Sequence, residues 1–110
     1  MLTDIKELLG PIGIPITETC FKNPPSLPYI VFTESKQVGG SDFKNMIADR
    51  DITIEFYSAK IDNLNESSIE EILNSNAIEF QKGERTWIDQ DKFFMTPYYF
   101  VLKERIDYNE

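Results

Sequence analysis

The side chains that most often carry out enzyme chemistry are scarce in this sequence, which has no histidine and a single cysteine, Cys20. A cysteine nucleophile needs a nearby base, so a cysteine–histidine pair is excluded. A lone cysteine also lacks a partner for an internal disulfide, and free cysteines are commonly buried, so Cys20 is expected to be a packing residue. The sequence therefore assigns no catalytic residue.

Two acids, Asp89 and Asp91, stand two residues apart in the segment DQDKFF. A calcium loop needs more oxygen ligands and a bidentate glutamate at a fixed spacing, which this segment lacks. They are predicted to be turn acids, and no metal or cofactor is expected. Acid–base catalysis would require a carboxylate that only tertiary structure could place, so we predict that the protein is not an enzyme.

The charge balance is acidic, with 19 acidic and 11 basic residues and a formal net charge of −8. Lysine and arginine supply most of the affinity for phosphate backbones, so direct nucleic acid binding is not expected. The longest apolar run is far shorter than the roughly 20 residues that span a bilayer. The opening segment MLTDIKELLG carries acids where a signal peptide has a basic region, so neither a membrane span nor export is expected.

The length of 110 residues predicts a single domain, 1–110, and an apolar content of 41% is enough for a packed core. A short helix is predicted near residues 3–9 with Thr3 as its cap, and a second near 64–75, where Asn63 and Glu66 resemble a capping box. The second helix has an apolar stripe of Leu64, Ile69, Ile72 and Leu73, and its acids Glu66, Glu70 and Glu71 are expected to face solvent.

Alternating apolar residues predict the strands. The predicted strands are 16–21, 29–35, 52–57, two short strands around Gly83, and a long strand after 92. Ile52, Ile54 and Phe56 are expected on the inner face of strand 52–57. In the last strand, Pro97 must sit where no ladder donor is needed. The element order is α-β-β-β-α-β-β-β. This order predicts an α+β fold, a mostly antiparallel or mixed β-sheet with two α-helices packed on one face.

A segment that could bind a partner lies between two of these strands. Gly39 and Gly40 loosen the backbone of residues 36–48, and Phe43, Met46 and Ile47 add apolar side chains without a regular period. We expect this segment to be mobile in the free protein and to order on assembly. The alternative is a rigid hairpin that continues the flanking strands.

Exposed aromatic residues are the other candidates for binding, because aromatics dominate protein interfaces. Trp87 is expected to lie in the core. Tyr99 is expected to be exposed, because it alternates with its neighbours and shares a strand face with Lys103 and Arg105. These three residues join Phe43, Met46 and Ile47 as the candidate protein interface.

Four segments carry a resemblance to a known family: LPYIVFTES (27–35), ADRDITIEFYSAKID (48–62), ESSIEEILNSNAIEFQKGERTWID (66–89) and PYYFVLKERI (97–106). Together they resemble the small tail-completion proteins encoded in phage and prophage structural operons of low-GC Gram-positive bacteria. The chain looks like the tail terminators and tail-to-head joining proteins of long non-contractile-tailed phages. The resemblance rests on length, element order and phrases such as ITIEFYS, and it includes no catalytic motif.

The resemblance implies a structural protein that caps the tail tube as a ring, commonly a hexamer, and joins the tail to the head. Its implied partners are further copies of itself, the major tail protein and a head-completion protein. Its implied location is the head–tail interface of the virion, after assembly in the cytoplasm of a bacterial host. Two alternatives stay open: a small acidic regulatory or inhibitor protein that binds a cellular protein, and an accessory subunit of an enzyme.

Overall fold

A mixed β-sheet with helices on one face organises the chain, in a computed structural model that describes residues 2–39 and 45–107. The helices are α1 (Ile5–Leu9) and α2 (Asn63–Ser75), with a single 3-10 turn at Gly10–Ile12. The strands are β1 (Ile16–Glu18), β2 (Tyr29–Gly39), β3 (Asn45–Ser58), β4 (Phe80–Lys82), β5 (Thr86–Ile88) and β6 (Phe93–Asp107). The predicted α+β class and element order are confirmed.

Three long strands form the centre of the sheet, which runs β1-β2-β3-β6-β4, with β5 also paired to β6. β1 is parallel to β2, and the other pairs are antiparallel. The pairing of β3 with β6 is unbroken from Asn45↔Asp107 to Ser58↔Phe94. Since β3 is antiparallel to both of its neighbours, β2 and β6 point in the same direction.

Both helices pack on the face that carries the even-numbered residues of β2, β3 and β6, which we call the helix face. Its core consists of residues that are at most 5% exposed: Ile5, Leu9, Ile30, Phe32, Ile52, Ile54, Phe56, Ile69, Leu73, Tyr98 and Phe100. The predicted inward trio of β3 is therefore confirmed. The odd-numbered residues lie on the other side, which we call the open face.

The apolar stripe of α2 was predicted incorrectly at its first turn. Leu64 is 80% exposed, whereas Glu66 is buried at 2% exposure. Ile69 and Leu73 reach the core and Ile72 packs against its margin. The physical reason is that two cations from the β4–β5 segment lie above Glu66, so a paired carboxylate occupies the position that an apolar residue would otherwise fill.

The helix caps also differ from the predictions. Asp4, not Thr3, caps α1 by accepting a hydrogen bond from the backbone N–H of Lys6 at 2.9 Å. Asp62, not Asn63, caps α2 and accepts from the N–H of Asn65 at 3.1 Å. Aspartate is as good a cap as threonine or asparagine, and in each case it lies one residue from the predicted position.

Pro97 lies within β6 at the gap between β4 and β5. Its carbonyl accepts a hydrogen bond from the Gly83 N–H at 2.8 Å, so the ring nitrogen also points toward this gap, where no ladder donor is needed. A Cβ on Gly83 would lie 2.6 Å from Cγ of Pro97, which explains why a glycine stands there. The prediction that Pro97 sits where no ladder donor is needed is therefore confirmed.

The sheet narrows at one end. β1 pairs with β2 only as far as Phe32, and β4 pairs with β6 only as far as Phe100. Beyond these points β2, β3 and β6 continue as a three-stranded extension, residues 33–39, 45–51 and 101–107, which we call the arm. The rest of the chain, with the wider sheet and both helices, is the body.

The segment predicted to be mobile, 36–48, falls partly outside the described residues. Lys36–Gly39 and residues 45–48 lie in β2 and β3, where Lys36 pairs with Arg50 and Gly39 with Ile47. These residues therefore adopt the strand conformation of the alternative hairpin. Mobility in solution stays a prediction, and so does the organisation as one domain.

Candidate protein interface

Three of the six predicted interface residues, Ile47, Lys103 and Arg105, come together on the open face of the arm. Ile47 of β3 lies directly opposite Arg105 of β6, and Asp49 lies opposite Lys103. The Lys103 Nζ and an Asp49 carboxylate oxygen are 3.6 Å apart, in an exposed ion pair. Because both strands expose this face, the cluster forms an exposed surface that carries apolar residues and both signs of charge.

The remaining predicted residues have three different positions. Tyr99 lies opposite Thr53 at the base of the arm and is 46% exposed, as its alternation predicts. Met46 lies opposite Ile106 on the helix face, so it does not belong to the same surface. Phe43 lies outside the described residues. The role of all six residues in binding stays a prediction.

Val101 is the residue that sequence reasoning missed. It is 58% exposed and stands on the open face between Tyr99 and Lys103. The two-residue alternation that grouped Tyr99 with Lys103 contained this signal, because Val101 has the same parity. With Ile47 at 44% exposure, the open face presents three apolar side chains along the arm and its base.

Below these residues, the open face of the body carries a row of aromatic rings. Neighbouring ring centroids lie 5.2 Å apart from Phe21 to Tyr29, 5.2 Å apart from Tyr29 to Tyr57 and 4.9 Å apart from Tyr57 to Phe93. Burial raises the pKa of Tyr57, and the nearby Glu55 carboxylate, which accepts a hydrogen bond from the Tyr57 hydroxyl at 3.1 Å, raises it further. The row makes this part of the open face a fixed aromatic platform.

A second apolar surface lies on the opposite side, at the start of α2. Ile61, Leu64 and Trp87 are 52%, 80% and 43% exposed, and we call them the end patch. Trp87 packs on Phe94 with ring centroids 4.8 Å apart, and Arg85 donates to the Asn63 side chain at 3.2 Å, which brings β5 to the start of α2. The prediction that Trp87 is a core residue was wrong, because β5 is an edge strand with nothing described above it.

A buried ionic cluster joins the arm to the body. Arg50 is 5% exposed and donates two hydrogen bonds to Glu34, at 2.9 and 2.7 Å, and one to Glu104 at 2.6 Å. Arg50 also donates to the Thr3 carbonyl at 2.8 Å, and the Thr3 N–H donates to Glu104 at 3.0 Å. The cluster therefore ties all three arm strands to the segment before α1.

The electrostatics of this cluster follow from its contacts. The hydrogen bonds from Arg50 lower the pKa of Glu34. Burial raises the pKa of Glu104, but the hydrogen bonds from Thr3 and Arg50 outweigh this effect, and the net change is downward. The hydrogen bonds that Arg50 donates to the two glutamates raise the pKa of Arg50 in turn. All three groups are therefore charged at neutral pH.

A second ionic cluster joins α2 to the β4–β5 segment. Glu66 accepts hydrogen bonds from Arg85 at 2.9 and 2.8 Å and from the Thr96 hydroxyl at 3.2 Å, and Lys82 lies 2.8 Å away. Burial raises the pKa of Glu66, but Arg85 and Lys82 outweigh it and lower the pKa overall. The buried carboxylate is thus fully paired, which makes it a structural group rather than a general base.

Cys20 follows β1 in an exposed loop, so the prediction that it is buried was wrong. Thr19, with a φ of 70°, turns the chain away from the sheet directly before it.

Asp89 lies in the turn between β5 and β6, where it accepts a hydrogen bond from Lys92 at 3.0 Å. Across residues 2–39 and 45–107, no group of three potential metal ligands comes together. No described helix is both long and apolar enough to cross a membrane.

Comparisons with known proteins show a likeness in fold. No protein-family model matches the sequence, and no curated protein matches it. Among solved structures, a chain of the structure titled "Virion of native gene transfer agent (GTA) particle" has the same fold, with a TM-score of 0.60 and 11% sequence identity. The alignment covers 89% of this chain and 84% of that chain, so the likeness extends over arm and body together.

Proposed function

We propose that this protein is a structural component of a phage-type virion. The observation that carries the proposal is the fold likeness to a chain of a gene transfer agent virion, at a TM-score of 0.60 over 89% of this chain. The resemblance of the sequence to phage tail-completion proteins agrees with it independently. At 11% identity the likeness concerns the fold, so the role itself is our inference.

Within the virion, we propose that the protein forms a ring that caps the tail tube and joins the tail to the head. Subunits of a ring meet through heterologous contacts, in which one surface of each copy touches a different surface of the next. The distribution of exposed apolar residues supports this arrangement. Ile47, Tyr99 and Val101 lie on the arm and open face, whereas Ile61, Leu64 and Trp87 form the end patch.

The partners in this proposal are further copies of the chain, the major tail protein and a head-completion protein. The proposed location is the head–tail interface of the virion, with assembly in the host cytoplasm. The buried acids of the chain already have cationic partners, Arg50 for Glu34 and Arg85 for Glu66, which supports a scaffold over a catalytic role.

Two measurements test the proposal. Phage-like particles induced from the source bacterium are purified by density gradient, and mass spectrometry should find the chain at a fixed ratio to the major tail protein. Immunogold labelling of the same particles should place it at the head–tail joint. If the purified particles lack the chain, the virion role is wrong; labelling along the tail or on the head surface would refute only the joining role.

A further inference from the structure

The arm has two long strand edges with no partner strand in the described part of the chain. On one side, the outer edge of β2 is uncovered after Phe32, where β1 ends. On the other side, the outer edge of β6 is uncovered after Phe100, where β4 ends. Unpaired edges invite another strand, and many proteins shorten or cover them for this reason.

The backbone groups that point outward along these edges can be identified from the hydrogen bonds lower in the sheet. The Phe32 carbonyl accepts from the Thr19 N–H and the Ile30 N–H donates to Pro15, so even-numbered residues of β2 point outward. The Pro97 carbonyl accepts from Gly83, so odd-numbered residues of β6 point outward. By this alternation Lys36 and Val38 offer backbone groups on one edge, and Val101 and Lys103 on the other.

We propose that these two edges bind each other between copies, so that β6 of one subunit pairs with β2 of the next and the arms form a continuous sheet around the ring. This inference rests on the proposed ring and names its subunit contact. Because β2 and β6 point the same way within one chain, copies related by rotation about a ring axis pair these strands in parallel.

Charge favours this pairing over the two symmetric alternatives. In the register that sets Glu104 opposite Lys36 of the neighbour, opposite charges face each other and Ile106 lies opposite Val38. An antiparallel pair of two β2 edges over the length of the arm sets Lys36 opposite Lys36. Two β6 edges paired in the same way set Lys103 opposite Arg105. Like charges directly opposite each other are destabilising, so self-pairing of either edge is disfavoured.

The shape of the subunit suits the same arrangement. Three strands at a spacing of about 4.8 Å make an arm about 10 Å wide between outer strand axes, whereas the five-strand path of the body is about 19 Å wide. In a ring whose strands run mainly along the axis, a tilt of this wedge brings the narrow arm closer to the axis than the body. This placement lets β6 meet the neighbouring β2 in the arm while β1 and β4 diverge outside it.

The space beside β6 is open for an incoming strand. A cleft of about 1010 Å³ lies along this edge, bounded by residues 99–104 and by residues 76–81 after α2. The neighbour's β2 would enter this cleft in line with β4. A strand from another protein could use the same edge, and in that case oxidation of the paired-cysteine chain alone would give no covalent ladder.

Paired cysteines test the contact in the full chain. Val38→Cys and Ile106→Cys are combined in a Cys20→Ser background, since Cys20 is an exposed thiol. Both new thiols lie on the helix face, and mild oxidation should give a ladder of covalent multimers at multiples of 12.8 kDa. The matched control combines Gln37→Cys with Ile106→Cys, which place the thiols on opposite faces, and should remain monomeric under the same oxidation.

The outcomes distinguish this inference from the proposed function. Rings seen by native mass spectrometry without a covalent ladder would overturn the strand contact and leave the ring intact. Covalent dimers from a single Lys36→Cys variant, whose thiol faces its own copy when two β2 edges pair, would indicate symmetric pairing and also overturn it. If neither rings nor a ladder form, even at millimolar chain and in the presence of purified tail tubes, both the ring and the contact are wrong.

Discussion

The body and the arm share three strands, but different interactions stabilise them. In the body, residues such as Leu73 and Phe56 are fully buried between sheet and helices. In the arm, Val38, Ile47 and Val101 are 42–58% exposed, and its main buried side chains in the described residues are the methyl of Ala48 and the guanidinium of Arg50. The body is therefore a hydrophobic core, whereas the arm depends on a strand ladder and one ionic cluster.

Because of this difference, we expect the body to determine the stability of the fold and the arm to be available for contacts between molecules. Apolar burial is the dominant favourable term in folding, so the body should set the free energy of unfolding of the whole chain. The arm contributes little buried apolar area, so its exposed residues can change with small effect on that free energy. Substitutions in the two regions should therefore affect different measurements.

The largest effect is expected in the core of the body. Leu73→Ala should lower the free energy of unfolding by about 2–5 kcal/mol, because it leaves a cavity between α2 and the sheet. Leu64→Ala in the same helix is the control, and it should change that free energy by less than about 0.5 kcal/mol, because Leu64 is 80% exposed. Urea unfolding followed by circular dichroism measures both, and equal losses would contradict the assignment of the helix face.

The next effect is expected at the junction of arm and body. Arg50→Met should lower the free energy of unfolding by about 2–3 kcal/mol, because it leaves two carboxylates close together without their cation. This loss is at or below the lower end of the roughly 3–5 kcal/mol typical of a broken buried ion pair, because the Glu34 and Glu104 side chains are 15% and 20% exposed. Hydrogen exchange should speed up in β2 and β6 of the arm more than in α2.

A matched control for this variant is Lys103→Met, which breaks the exposed pair with Asp49. Both of its side chains are more than half exposed, so the free energy of unfolding should change by less than about 1 kcal/mol. If both variants lose the same stability, the buried cluster is no more important than a surface ion pair.

Acid should weaken arm and body together. The pKa values of Glu34, Glu66 and Glu104 are all lowered in the folded chain, by Arg50 for Glu34 and by nearby donors that outweigh burial for the other two. The stability that these carboxylates supply is present above their unfolded pKa of about 4.3 and is lost as the pH falls through their lower folded values. Unfolding free energies measured from pH 6 to pH 2.5 should show this fall.

Two variants divide the pH effect between the regions. Glu66→Gln removes the contribution of the body cluster, and Glu34→Gln removes part of that of the arm cluster. Each should reduce the loss of stability between pH 5 and pH 3 relative to the unchanged chain. An identical pH profile for all three proteins would show that these carboxylates do not carry the acid sensitivity.

The strands, helices and most of the core could be predicted from the sequence because each depends on local periodicity. Ile52, Ile54 and Phe56 alternate, and alternation alone places them on one face. Glu66 could not be placed, because its burial depends on Lys82 and Arg85, which reach it from another element. Long-range ion pairs leave no periodic signal in the sequence.

The exposed positions of the candidate interface residues were predictable to a similar extent. Tyr99 followed from alternation, and Val101 would have followed from the same rule. The end patch could not be predicted from the sequence, because the exposure of Leu64 depends on which residue of α2 meets the β4–β5 segment. The extent of the arm also escaped prediction, since nothing local to Lys36–Gly39 indicates how far β1 covers β2.

The smallest effect on stability, and the sharpest on assembly, is expected at the outer edge of β6. Lys103→Pro removes a backbone N–H that points away from β3, so the internal ladder keeps its hydrogen bonds and edge positions tolerate proline. The free energy of unfolding should fall by no more than about 1 kcal/mol. Ring formation, followed by native mass spectrometry, should be lost, because the missing donor belongs to the proposed contact with the neighbouring β2.

Two neighbouring variants make this result specific. Lys103→Ala removes the same side chain but keeps the N–H, so its rings should form as in the unchanged chain. Leu102→Pro removes an N–H that points toward β3, and it should destabilise the fold itself, by about 3 kcal/mol if the penalty resembles that in other regular structure. Rings that persist in Lys103→Pro would show that the strand edge is not the contact. If Lys103→Ala also loses its rings, the side chain rather than the strand edge makes the contact. The arm would then act through its open face.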